Sequence, residues 1–109
     1  MGEEIRCMST ELYEINGQQF NWDMGKNLQN IEKHGVPFKE AATVFRDEIA
    51  IILDDKEHSR EEERFKIIGL SGNLRLLMVC HCYRGDDSVI RIISARRATK
   101  KEHNQYGRQ

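Results

Sequence analysis

The chain is expected to fold as an α+β domain, and three observations point there. Two helix-length apolar patterns precede residue 47, strand-length apolar runs recur after it, and short turn sequences separate the last of those runs. Tight turns force antiparallel neighbours. Helices grouped ahead of an antiparallel sheet indicate α+β rather than alternating α/β. At 109 residues the chain has room for one domain and one core.

Each element follows from its own residues. Residues 1–17 show no clear period and are expected to be a flexible N-terminal extension, in which Met8 is an alternative start; 18–109 form the single domain. Gln18–Trp22 reads as a short strand with Phe20 and Trp22 on one face. Asp23 suits a helix N-cap, because its carboxylate accepts from orphan backbone N–H groups. That helix runs to about His34, with Met24, Leu28 and Ile31 on one face and Gly35 as the C′ residue. Pro37 opens a second helix whose Phe38, Ala41, Ala42 and Phe45 form the cleanest helical stripe in the chain.

After Asp47 the pattern changes. Ile49–Leu53, Arg64–Leu70, Leu74–Tyr83 and Ser88–Ala95 are strand-like, with a polar loop over 54–63 and turns at Ser71-Gly72-Asn73 and Gly85-Asp86-Asp87. Thr99 caps a short helix to Tyr106. The expected architecture is therefore an N-terminal strand and two helices, a four-stranded antiparallel meander, and a short C-terminal helix.

Composition narrows the class. No apolar run approaches the roughly 20 residues that span a bilayer, and Met1–Gln19 has no apolar core of secretory length. Cys7, Cys80 and Cys82 are an odd set, so reduced thiols and a cytoplasmic location are expected. The net charge of −1 conceals two opposed regions. Asp47–Arg64 holds eight acidic and three basic residues, and Arg84–Gln109 seven basic and three acidic. One end is suited to an anion and the other to a basic partner, or both are solvated faces.

Arginine is the main chemical candidate. Arg64, Arg84, Arg91 and Arg96 each lie in or beside a predicted strand. The guanidinium keeps its charge and presents a planar fork that matches phosphate oxygens; the competing reading is that each pairs with a carboxylate. Parity puts Cys80, Cys82 and Arg84 on one face if no bulge intervenes, and Arg91 with Val89, Ile93 and Ala95. His58 is a candidate acid or base near neutral pH, or else a solvated loop histidine. His34, at a helix end, reads as structural. Cys80-His81-Cys82 does not converge on a metal, since alternate residues point to opposite faces and no second ligand pair follows. No metal and no cofactor are expected. Tyr106 either stacks on a base or hydrogen-bonds a phosphate, or it anchors the last helix to the sheet.

Several pieces recur in order in one family. Phe20-x-Trp22-Asp23-x-x-Lys26-Asn27, Asn30-x-x-Lys33-His34-Gly35 and Phe38-x-x-Ala41, followed by Asp54, His58-Ser59, Glu63-Arg64 and Ile68-Gly69, resemble BrnT toxins. So does Arg91-Ile92-Ile93-Ser94-Ala95-Arg96-x-Ala98 with Glu102 and Tyr106. The resemblance spans about Phe20 to Tyr106. It implies a RelE-like α+β fold and a toxin of a type II toxin–antitoxin system. Such a toxin is a metal-independent endoribonuclease that inhibits translation. A BrnA-like DNA-binding antitoxin neutralises it, and the toxin reaches operator DNA only through that antitoxin. By position the resemblance implies His58, Arg64, Arg84 and Arg96 as catalytic residues, with Arg91 and Tyr106 less central; Lys100 and Lys101 are general RNA contacts. The chain departs from the family in its longer N-terminus and in His103 and Asn104. The alternative is a non-catalytic module that binds nucleic acid or protein through the basic C-terminal face.

Overall fold

A computed structural model describes residues 9–108. Among these residues one six-stranded sheet carries two helices on one face and a short third helix on the other. Strand β1 is Thr10–Ile15, β2 Gln18–Asp23, β3 Ile51–Asp54, β4 Phe65–Leu70, β5 Leu76–Arg84 and β6 Val89–Arg97. Helix α1 is Met24–His34, α2 Phe38–Thr43 with a 3-10 turn over Val44–Arg46, and α3 Lys100–Gly107. The spatial order is β1-β2-β6-β5-β4-β3. Strands β3 to β6 pair antiparallel in chain order, whereas β2 lies parallel to β6. The sheet is thus mixed. No helix among the described residues is long and apolar enough to cross a membrane.

The expected extension over 1–17 is corrected where it is described. Residues 10–15 form β1, paired with β2 around the Asn16-Gly17 turn, both residues having positive φ (48° and 87°). Two such residues match the right-handed strand twist in a two-residue hairpin. Tyr13 and Ile15 pack on the core, so this hairpin is part of the domain. Met8, the alternative start, and Cys7 lie outside the described residues.

The first helix begins and ends as expected. The Asp23 carboxylate accepts from the Lys26 N–H at 2.9 Å, and Gly35 closes the helix at φ 70°. Its expected apolar face is wrong, however. Met24, Leu28 and Ile31 are exposed, and the buried side chain is Asn30. The reason is a gap in the sheet. Strand β2 pairs with β6 only from Val89 to Arg91, which leaves the β2-facing edge of β6 without a strand partner beyond that point. Asn30 fills the gap: its amide donates to the Ala95 carbonyl at 2.8 Å and accepts from the Ala95 N–H at 3.1 Å. A buried backbone group needs a partner, so a polar side chain points inward here.

Helix α2 buries Phe38, Ala41 and Ala42 completely, and the ring of Phe45 beyond it meets Phe20 and His81 edge-on. With Trp22, Val36, Val44, Ile67, Leu77, Val79, Ile90 and Ile92 they make the main core. Pro37 is the cap residue rather than the first helical one. A Cβ on Gly69 would come within 2.7 Å of Val44 Cγ1, so the glycine lets β4 and the 3-10 turn approach. The opposite face of the sheet has a smaller apolar cluster, Ile68, Leu76 and Met78, covered by Ala98 and Tyr106.

Candidate active site

The site begins with a register change. Cys80 pairs with Ser94 but His81 pairs with Ile92, so β6 carries one extra residue, Ile93, between them. An inserted residue reverses the facing of everything beyond it. The expectation that Arg91 shares a face with Ala95 is therefore corrected. Ala95 is buried under the helices, opposite Val79, while Arg91 stands opposite Cys82 on the other face. The same step puts Arg91 and Arg96, five residues apart, on one side of the sheet.

That face carries a charged row at the end of the sheet. Arg91 lies beside Asn21 of β2 and donates to its Oδ1 at 3.3 Å. Next comes Cys82, whose thiol is pushed up by burial and by the Glu62 carboxylate, against the opposing charges of Arg84 and Arg64. A buried thiol held protonated is no nucleophile. Arg84, at the end of β5, donates through Nη1 to Glu62 Oε2. Arg64 immediately precedes β4.

The loop between β3 and β4 supplies the histidine. Its two ends are tied: the Asp55 N–H donates to the Arg64 carbonyl at 2.9 Å, Ser59 Oγ donates to the Asp55 carbonyl at 2.6 Å, and the Arg64 N–H donates to Ser59 Oγ at 3.0 Å. Within it a 3-10 turn, Lys56–His58, brings His58 back over Asp55. Asp55 is 2% exposed, and both its carboxylate oxygens lie 3.0 Å from His58 Nδ1. A carboxylate only accepts, so Nδ1 carries hydrogen and, in the neutral ring, Nε2 keeps its lone pair. The His58 side chain is 57% exposed. It lines a cleft of about 310 Å³ with Glu57, Arg60, Glu61, Glu62 and Arg64. The constellation is an oriented imidazole beside guanidinium groups, in a cleft open to solvent.

Arg96 does not join this group, which corrects the expectation that it acts together with Arg64 and Arg84. It stands opposite Met78, six residues from Arg84 along β5, or on the order of 20 Å at strand rise. Its Nη1 and Nη2 each donate to Glu102 at 2.9 Å. That pairing holds the Arg96 charge more firmly and lowers the Glu102 carboxyl below its ordinary value. Glu102 Oε1 also accepts from the Thr99 N–H, and Thr99 Oγ1 from the Glu102 N–H, completing a capping box. Arg96 thus fixes the start of α3. Tyr106 donates from Oη to Asp47 Oδ2 at 2.7 Å, and this hydrogen bond pushes its phenol up to about 12. Lys100 and Lys101 are exposed on the first turn of α3.

A family model described as the ribonuclease toxin, BrnT, of type II toxin–antitoxin systems matches residues 22–102. The chain belongs to the BrnT family. It is also similar to the crystal structure of the ribonuclease toxin BrnT of Brucella abortus, at 25% identity and a TM-score of 0.55. That match covers 72% of this chain and 94% of the other. No curated protein sequence matches the chain. BrnT membership leaves the individual residues to be argued from geometry. Here the geometry brings His58, Arg64 and Arg84 to one end of the sheet, with Arg91 beside them, and keeps Arg96 and Tyr106 apart.

Sequence reasoning missed Asp55 and Glu62. Asp55 was legible as an acid three residues before a histidine, a spacing that lets both meet on one helical turn. Glu62 was hidden in a run of three glutamates.

Proposed function

We propose that this protein is a metal-independent endoribonuclease toxin that cuts RNA at the cleft of His58 and Arg64. The observation that carries the reading is Asp55, buried and bonded to His58 Nδ1, which leaves Nε2 available at the cleft.

RNA contains its own nucleophile. His58 Nε2 takes the 2′-OH proton, the 2′-oxygen attacks phosphorus, and the bond to the 5′-oxygen breaks. The products are a 2′,3′-cyclic phosphate and a 5′-hydroxyl, whose proton comes from water. A positioned base contributes roughly 10²–10⁴-fold. The charge that develops on the phosphate oxygens is met by Arg64 and by Arg84, whose fork exchanges Glu62 for phosphate. Arg91 extends the cationic row for the adjoining backbone. None of these steps calls for a bound metal.

Family membership supports the rest of the proposal. The protein acts in the cytoplasm, inhibits translation by destroying RNA, and is neutralised by a BrnA-like antitoxin that supplies the DNA contact.

Purified protein incubated with RNA in EDTA is expected to yield cyclic phosphate ends. His58→Ala is expected to lower the rate by about 10²-fold or more, with the fold checked by circular dichroism. RNA that is bound but never cut, or cleavage that EDTA abolishes, would overturn the proposal.

A further inference from the structure

A second and larger cleft meets the first at the end of the sheet, on the face that carries α1 and α2 and opposite that of Arg64 and Arg84. It has a volume of about 460 Å³ and is lined by Glu62, Glu63, Phe65, Tyr83 and Asp87. Glu62 lines both clefts. The volume is within the range of small-molecule sites.

We infer that this cleft is a base-specificity pocket that takes the guanine next to the scissile phosphate. The inference rests on the ribonuclease reading of the neighbouring cleft. Phe65 and Tyr83 are half-buried, with ring centroids 5.5 Å apart and a 64° interplanar angle, so each leaves part of its ring at the cleft. His81, fully buried, stands beside both rings on the same face, 5.9 Å from Phe65 and 5.4 Å from Tyr83. Single-stranded RNA is read by stacking splayed bases on such rings and hydrogen-bonding their edges.

The charge in the pocket selects among the bases. Three carboxylates repel phosphate, so a base edge rather than backbone enters. A carboxylate only accepts, and among the four bases guanine alone presents two adjacent donors, N1–H and N2–H, to its two oxygens. Uracil offers one N–H between two carbonyls; adenine and cytosine offer an amino group beside an acceptor nitrogen. Glu62 is engaged by Arg84. Glu63 and Asp87 are exposed and form no ion pair among the described residues. They are the carboxylates available to the base.

Calorimetric titration of the full-length protein with 3′-GMP, 3′-AMP, 3′-CMP and 3′-UMP tests this. 3′-GMP is expected to bind about tenfold more tightly than the others, and Glu63→Gln or Asp87→Asn to bring it within about threefold of them. His58→Ala is expected to keep the preference. Equal affinity for all four nucleotides, or a preference intact in both carboxylate variants, would overturn the inference. RNA cut without regard to base, with equal nucleotide affinities, sinks the pocket and leaves the ribonuclease. A protein that prefers 3′-GMP yet cuts no RNA upholds the pocket and sinks the ribonuclease.

Discussion

Both carboxylate oxygens of Asp55 lie 3.0 Å from His58 Nδ1, and Asp55 is buried while His58 is open to solvent. The acid fixes the hydrogen on one ring nitrogen and frees the other. Asp55→Asn keeps the shape but offers an amide that can turn its N–H toward the ring and reverse the tautomer. The expected result is a fall in kcat of about 10²-fold or more with KM nearly unchanged. Single-turnover cleavage of a labelled oligoribonucleotide measures it; a change in KM alone would mean that Asp55 only shapes the loop.

Glu62 pairs with Arg84. Glu62→Gln removes that competitor and is expected to tighten RNA binding several-fold. The slope of log affinity against log salt should steepen by up to about 0.7, the value for one added single-strand phosphate contact. Arg84→Ala is expected to weaken binding and flatten the slope. Filter binding at several salt concentrations reads both, and identical slopes in the two variants would remove Arg84 from the phosphate path.

The fork between Arg96 and Glu102 predicts a structural phenotype. Arg96→Ala leaves a half-buried carboxylate and weakens the capping box, so thermal stability is expected to fall by about 1–3 kcal/mol. Cleavage per folded molecule, at a temperature where the variant remains folded, should stay within threefold of wild type. Arg96→Lys should recover part of the stability, since an ammonium cannot reproduce the fork. A large loss of kcat in a fully folded Arg96→Ala protein would return Arg96 to the reaction.

His81 gives the protein an acid sensitivity. Burial lowers its imidazole from 6.5 to about 4. The unfolded chain therefore binds the proton first as pH falls. The contribution is fully present above about pH 6.5, is lost through the window down to about 4, and is of order 3 kcal/mol in all. Denaturant titrations between pH 7 and 4 should show this slope in wild type and a shallower one in His81→Leu. Parallel slopes would locate the sensitivity elsewhere.

Tyr106→Phe removes only the hydroxyl that donates to Asp47. A hydrogen bond to a charged acceptor is worth about 1.5–3 kcal/mol, so the midpoint of unfolding should fall while RNA cleavage is unchanged. Weaker RNA binding at unchanged stability would make Tyr106 an RNA contact.

Much of the fold was legible because its signals are local. Asp23 and Gly35 bound α1, Thr99 starts α3, and the turns after β4 and β5 fall where small and polar residues cluster. Asn16-Gly17 is an equally local two-residue hairpin signal, but β1 shows no clean period because exposed Leu12 sits out of phase with the inward Tyr13 and Ile15.

Residue types, caps, turns and the charge separation were determined by the sequence alone, as was the ordered pattern that marks the BrnT family. Tertiary structure decided what faces what. The extra residue at Ile93 turned Arg91 away from Ala95, because a pleated strand reverses its faces with each residue. The short β2–β6 pairing drew Asn30 inward and left Met24, Leu28 and Ile31 outside, because an unpartnered strand edge needs hydrogen bonds more than apolar cover. Glu102 claimed Arg96, and Asp55 claimed one nitrogen of His58. These partners come from other strands, a helix or a loop, and their distances exist only once the sheet has formed.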